Sequence, residues 1–347
     1  VLACALFAAM AGSSPATCSA IGSAGIPEMR KRGYSSGLAA GIIAAGGTLG
    51  ILLPPSITMI LYSVAAEQSL GRLFLAGIGP GLMLVVFFSM YTVYRFRKEY
   101  NMALHAVEKG APKQAILERQ TYTMQQKMSS LPRVLPFLVL LIGVMVALYG
   151  GYATPSETAG LGAILAFALI AGIYKMWRVK DLSPLLNATI KESTMLMFII
   201  GMSLLFSNVM SHLHLSQSAA QAIVDLGLGR WGLLTAILIL VIILGFFLPP
   251  VSIILMTAPI FLPPLRAAGF DLVWFGIFII MLIEIAEITP PVGFNLFVLQ
   301  NMTGIDSNRI AKVTMPFFVC MLIGIVLITV FPSIVTSVPN ALMGVPK

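Results

Sequence analysis

Two apolar runs in this chain carry adjacent prolines where a membrane-spanning helix would need an unbroken backbone. One is "AAGGTLGILLPPSITMILY" (Ala44–Tyr62); the other surrounds "EITPPVGFNL" (Glu287–Leu296). Proline removes a backbone donor and clashes with the preceding helical turn. Hydrocarbon holds no water to satisfy the freed carbonyls, so irregular backbone survives at that depth only inside protein or along a cavity. The chain is thereby restricted to folds that break their own spanning helices.

The membrane setting follows from composition. The chain is 58% hydrophobic and 10% charged, with a mean hydropathy of +0.96 over 347 residues. Apolar runs of about twenty residues recur along it, which identifies an all-α polytopic membrane protein in a lipid bilayer. Cys4, Cys18 and Cys320 all lie in apolar segments, against a disulfide framework. The opening "VLACALFAAM" has neither an initiator Met nor a basic n-region. It reads as the interior of a helix, so the chain is expected to be N-terminally truncated.

Spans are read near 37–63, 73–94, 134–150, 157–176, 193–211, 272–299 and 314–335. The net charge of +8 would suit nucleic acid, but its location excludes that partner. The connections 28–33, 95–133, 175–191 and 301–313 hold 17 of the 21 Lys and Arg residues. Such asymmetry places those connections, including 95–133, in the cytoplasm and the C-terminus outside. The connection 95–133 reads as a solvated loop or a helix on the anionic leaflet.

Two further apolar stretches, 1–24 and 231–264, read as re-entrant hairpins with tips at "GSSPAT" (Gly12–Thr17) and "LPPVS" (Leu248–Ser252). In the second, an arm of Ile253–Pro264 would reach only about 18 Å, short of the ~30 Å hydrocarbon core. Each Pro-Pro pair follows one tip at the same offset: Pro54 stands 40 residues after Ser14, and Pro290 stands 40 after Pro250. With the orientation above, the two units are inverted relative to each other. Inverted repeats with broken helices point to a secondary transporter. Half-helix N-termini suit an anionic substrate, and C-terminal carbonyls suit Na⁺.

On these residues the chain resembles the large membrane subunit of tripartite ATP-independent periplasmic (TRAP) transporters. The matching stretches are "LFAAMAGSSPAT", "GIPEMRKRGY", "AAGGTLGILLPPSI", "YATPSETA", "IILMTAPIFLPP" and "EITPPVGFNLFV". The resemblance implies an elevator-type ion-transporter fold in the bacterial inner membrane, driven by inward Na⁺ with no other cofactor. It implies a periplasmic binding protein that delivers the substrate and a small four-helix membrane subunit. The substrate class would be a small organic anion such as a C4-dicarboxylate, a sialic acid or a keto acid. A stand-alone Na⁺/dicarboxylate symporter of related architecture is the alternative. The transport domain is expected to comprise 1–72 and 212–313, with 73–211 as scaffold and connecting helices and 314–347 as a C-terminal helix. At the second tip many members carry an acid after Phe-Leu, where this chain reads Phe247-Leu248-Pro249.

Ser13, Ser14 and Thr17 at the first tip, with Gly46, Gly47 and Thr48, are the candidates for one Na⁺ site, since hydroxyls and free carbonyls are hard oxygen ligands. Inverted symmetry nominates Ser252, Thr289, Gly293 and Asn295 for the second half-site. Ser14, Thr17, Pro54, Ser252 and Asn295 are expected at the substrate. Glu284 and Glu287 share a helix face at i,i+3. As intramembrane acids they are candidates for carrying protons or attracting Na⁺, or for structural hydrogen bonding. Thr154–Glu157 reads as a capping box, and His212 with His214 as interfacial. Gly33-Tyr34-Ser35-Ser36-Gly37 fits G-x-S-x-G, the one invitation to a hydrolase. On a connection between hairpin and span, without a strand-to-helix elbow, it reads as a chance match, so no enzyme is expected.

Overall fold

The computed structural model describes residues 1–108, 123–150, 152–213, 218, 229–291 and 293–344, so His214 and part of the connection 95–133 lie outside the described residues. Among the described residues the chain is all-helical and divides into two compact units, 1–118 with 203–347, and 119–202. Six of its helical segments are long and apolar enough to cross a membrane.

The larger unit opens with a helical hairpin, α1 (Leu2–Ala11) and α2 (Ser14–Lys31). Its turn is set by Gly12, which adopts φ +62°. A side chain there would also press within 2.8 Å of the Pro55 carbonyl. The first broken helix follows as α3 (Ser36–Leu52) and α4 (Ile57–Ala66). Ser35 caps α3 by accepting from the Leu38 N–H at 3.2 Å, and its hydroxyl donates to Glu99. The G-x-S-x-G match therefore lies between two helices, with its serine spent on a cap. Next comes α5 (Leu70–Glu108), which extends well beyond the expected span 73–94 into the basic connection.

The smaller unit holds α6 (Met124–Tyr149), α7 (Pro155–Ile173) and most of α8 (Val179–His212). The expected capping box opens α7. The Thr154 hydroxyl accepts from the Glu157 N–H at 3.4 Å, and Glu157 accepts from the Thr154 N–H at 2.8 Å. Replacing Thr154 with alanine should lower stability by about 1 kcal/mol, the usual cost of a lost N-cap. Thermal unfolding in detergent would register the loss.

The second hairpin is α9 (Arg230–Gly245) and α10 (Pro250–Ala267). Here the sequence-based bounds need correction. The arm expected over Ile253–Pro264 is an 18-residue helix, about 27 Å long at 1.5 Å per residue, so arm length does not argue against spanning. The tip is also shorter than expected, because Pro250 and Ser252 lie in the first turn of α10. Proline is accommodated at that position, where its N–H would be unpaired in any case. Further along, Pro259 leaves the Leu255 carbonyl without its helical donor. The Ser203 hydroxyl donates to that carbonyl instead, and the helix continues.

The second broken helix is α11 (Leu272–Glu287) and α12 (Phe294–Thr303). Asp271 caps α11 through the Val273 and Trp274 N–H groups, and every residue of the helix is buried. A helix buried on all sides belongs at the centre of a bundle, and α11 is that centre. The Tyr62 hydroxyl donates to the Leu272 carbonyl at 2.7 Å, and the Trp274 indole donates to Ile328 at 2.9 Å. The chain ends with α13 (Ser307–Val330) and α14 (Ser333–Met343). Where the sequence suggested one helix running to residue 335, Pro332 divides two. Arg72 fastens the last helix by donating to the Gly344 carbonyl and Asn340.

The two halves exchange elements. The first half of each broken helix packs on its own hairpin, α3 on α1 and α2, and α11 on α9 and α10. The second half crosses over, so that α4 packs on α10 and α12 on α2.

Candidate functional site

The site begins with the two proline breaks. In the first, Pro54 and Pro55 cannot donate to the Gly50 and Ile51 carbonyls. Ser56 repairs part of the loss: its hydroxyl donates to Ile51 at 2.7 Å while accepting from the Met59 N–H, so one side chain ends α3 and caps α4. The tip of the first hairpin closes on this break. The Ile57 N–H, at the start of α4, donates to the Gly12 carbonyl at 3.1 Å. The peptides Pro54–Pro55 and Pro290–Pro291 are both cis.

Gly50 makes that approach possible. A β-carbon on it would lie 2.5 Å from the Ser13 carbonyl oxygen and 2.8 Å from the Thr17 hydroxyl. Gly46 and Gly47 serve nearby, their faces filled by Cys4 and Cys18. Thr48 and Thr17 are buried, and their hydroxyls donate to the Ala45 and Ser13 carbonyls.

Into this cluster comes Asn295, from the first turn of α12. Its amide donates to the Ser14 hydroxyl at 2.8 Å and to the Ala44 carbonyl at 3.2 Å, and the Ser14 hydroxyl lies 3.1 Å from its carbonyl oxygen. Ser14 and Asn295 have no solvent exposure. The Cys18 thiol lies 3.9 Å from the Asn295 backbone carbonyl. The sequence placed Asn295 twice, in the second half-site with Ser252, Thr289 and Gly293 and at the substrate with Ser14, Thr17, Pro54 and Ser252; of these the structure joins it to Ser14. The two meet because α12 crosses to the first hairpin.

The remaining candidates stand apart. Ser252 is half-buried on α10, and the Thr289 hydroxyl donates to the Ile285 carbonyl at 2.6 Å. Gly293, at φ +54°, begins α12. Pro54 is buried in the first break. Among the described residues no hydrogen bond links Ser252 or Thr289 to the Ser14–Asn295 pair.

Glu284 and Glu287 also reach this region. They are 0% and 3% exposed, and none of their four carboxylate oxygens has a hydrogen-bond partner among the described residues. Glu287 lies beside the Ser14 hydroxyl and within electrostatic reach of Cys18. Two full charges at about 6 Å repel by roughly 3 kcal/mol at an effective dielectric of ~20. A bare pair is therefore disfavoured. No group of three or more His, Cys, Asp or Glu side chains assembles among the described residues. His212 is exposed at the end of α8.

Sequence reasoning overlooked Gly12, Gly50 and Ser56. The signal for Gly50 was present, since it stands four residues before Pro54 and so owns the carbonyl that Pro54 cannot serve.

Comparison with known proteins bears on what such an arrangement does. The family model described as "Tripartite ATP-independent periplasmic transporter, DctM component" matches residues 1–334. The C4-dicarboxylate TRAP transporter large permease protein DctM of Pseudomonas aeruginosa is 36% identical over 342 residues, covering 98% of this chain and 76% of that protein. The ectoine/5-hydroxyectoine TRAP transporter large permease protein UehC of Ruegeria pomeroyi is 31% identical, over 96% and 74% respectively. The sialic acid TRAP transporter permease protein SiaT of Haemophilus influenzae is 29% identical, over 97% and 52%.

Proposed function

The chain belongs to the DctM component family of tripartite ATP-independent periplasmic transporters, which are transporters and not enzymes, and from that premise we propose that it carries a small organic anion into the cell, coupled to inward Na⁺. The closure of the first hairpin on the Pro54 break, sealed by Asn295 from the other repeat, carries this reading. It gathers hydroxyls, freed carbonyls and two half-helix N-termini around one buried point. Carbonyls at the end of a half-helix attract a cation, and N–H groups at the start of the next attract an anion.

No Lys or Arg lies in α3, α4, α11 or α12. An anion held here is therefore neutralised by helix ends, by the Ser14 and Asn295 side chains and by co-bound Na⁺. Relatives that carry C4-dicarboxylate and sialic acid support a carboxylate substrate. Na⁺ belongs to Ser13, Ser14, Gly46, Gly47 and Thr48 on one side and to Ser252, Thr289 and Gly293 on the other. The hairpins and broken helices move as one elevator body in the inner membrane. The basic connections are cytoplasmic and the C-terminus periplasmic. A small membrane subunit and a periplasmic binding protein complete the transporter.

Uptake into proteoliposomes tests this. Transport should require both a Na⁺ gradient and the binding protein. Ser14→Ala and Ser252→Ala should each shift the Na⁺ titration to higher concentration in a folded protein. Unchanged titrations in both variants would remove these side chains from the ion sites. Robust uptake of free substrate without the binding protein would favour a stand-alone symporter.

A further inference from the structure

The C-terminal end of α11 is built to hold a cation. Pro290 and Pro291 cannot donate to the Ala286 and Glu287 carbonyls. Ala286 accepts from the Thr289 N–H at 3.2 Å instead, but the Glu287 carbonyl has no backbone donor among the described residues. The negative end of the α11 dipole gathers at this point. The Glu287 carboxylate stands at the same end, 3% exposed, with both oxygens unpartnered, facing the Ser14 hydroxyl. Glu284, one turn earlier and equally unpartnered, adds like charge. The other titratable group beside this point is the Cys18 thiol of the first hairpin. Among the described residues no Lys, Arg or His side chain is close enough to act on either carboxylate.

Buried carboxylates are ordinarily paired or bound to metal. We propose that the Glu287 carboxylate, its own backbone carbonyl and the Ser14 hydroxyl form a seat for one hard monovalent cation, Na⁺. Glu284 strengthens the attraction without serving as a ligand. All three ligand groups are oxygens, as a hard cation requires. The seat lies where the second broken helix meets the first hairpin, so the ion bridges the two repeats. It shares the Ser14 hydroxyl with the ion position proposed for the first repeat and adds the carboxylate of the second. It deepens the sodium-coupled reading and rests on it.

The test uses the intact transporter purified in detergent, followed by thermal unfolding during titration with NaCl at constant ionic strength. Choline, K⁺ and Ca²⁺ chlorides are the comparison salts. Na⁺, and neither K⁺ nor Ca²⁺, should stabilise the wild type, and Glu287→Gln should weaken the Na⁺ response at least about tenfold, the loss of a charged ligand. Should that variant fail to fold, Glu287→Asp decides: a carboxylate one methylene shorter should shift the Na⁺ titration to higher concentration. The inference is overturned if the variant that folds titrates like the wild type, or if the wild type shows no Na⁺ effect. Na⁺-dependent uptake persisting beside a normal Glu287→Gln titration would sink this seat alone. Na⁺-independent uptake beside a Glu287-dependent Na⁺ response would leave the seat standing and remove coupling.

Discussion

Gly50→Ala is expected to reduce transport by about a hundredfold. The added methyl would sit 2.5 Å from the Ser13 carbonyl oxygen and 2.7 Å from its carbon, and both are backbone atoms that no rotamer change can move. Either α3 or the hairpin tip must retreat by about an ångström. Overpacking of this kind typically costs 1–3 kcal/mol. Here the displaced atoms carry the site itself: the Gly12 carbonyl loses its register with Ile57, and Ser14 moves off Asn295. Uptake should fall by about a hundredfold, the rate equivalent of roughly 2.7 kcal/mol. Gly143→Ala on α6 is the control. Nothing lies within 4 Å of its added carbon, and alanine favours a helix by up to about 1 kcal/mol. Wild-type uptake by Gly50→Ala would mean that the tip does not need to close on the break.

The second large effect concerns Asn295. Removing its amide takes the Asn295 partner from the buried Ser14 hydroxyl and a second donor from the Ala44 carbonyl, which keeps its bond within α3, in a site closed to solvent. Each buried polar group left unpaired costs about 1–3 kcal/mol. Asn295→Ala should therefore weaken apparent affinity for substrate or Na⁺ by about ten- to a hundredfold, 1.4 kcal/mol being a factor of ten. Asn295→Asp should do no better. It keeps the size but brings a carboxylate against the Ala44 carbonyl, near Glu287 and near an anionic substrate. KM for substrate and for Na⁺, measured in the same proteoliposomes, separates the two roles. If both variants transport with wild-type affinity, the Ser14–Asn295 pair is structural.

What the sequence revealed and what it concealed divide along a physical line. Both helix breaks were legible because proline acts on its own backbone, whatever surrounds it. The Thr154–Glu157 cap was legible for the same reason. The length of α10 was not. The arm was read as Ile253–Pro264, yet the helix runs from Pro250 to Ala267, and Ser203, 52 residues from its partner Leu255, satisfies a carbonyl that Pro259 leaves open. Ser14 and Asn295 were both expected at the substrate, but the crossing of α12 that joins them was hidden, since a repeat pattern shows that two units match without showing which parts they trade. Glu287 was visible as a buried acid, but its neighbour Ser14 belongs to the opposite end of the chain.

That exchange has a consequence for how the molecule is made. Ser14 and Asn295 are 281 positions apart, yet they meet directly. Synthesis runs from the N-terminus, so the first hairpin is inserted long before the residue that closes over it exists. Until α12 leaves the ribosome, the Ser14 hydroxyl lacks its Asn295 partner although the tip can already close on Ile57, and α4 must wait for α10. Closing so long a loop raises the entropic cost only slowly with length, but it is met before any contact rewards it. The Ser14–Asn295 pair therefore forms only after most of the chain has been made. A ribosome stalled after the first repeat leaves an unfinished half in the membrane, not a smaller working carrier.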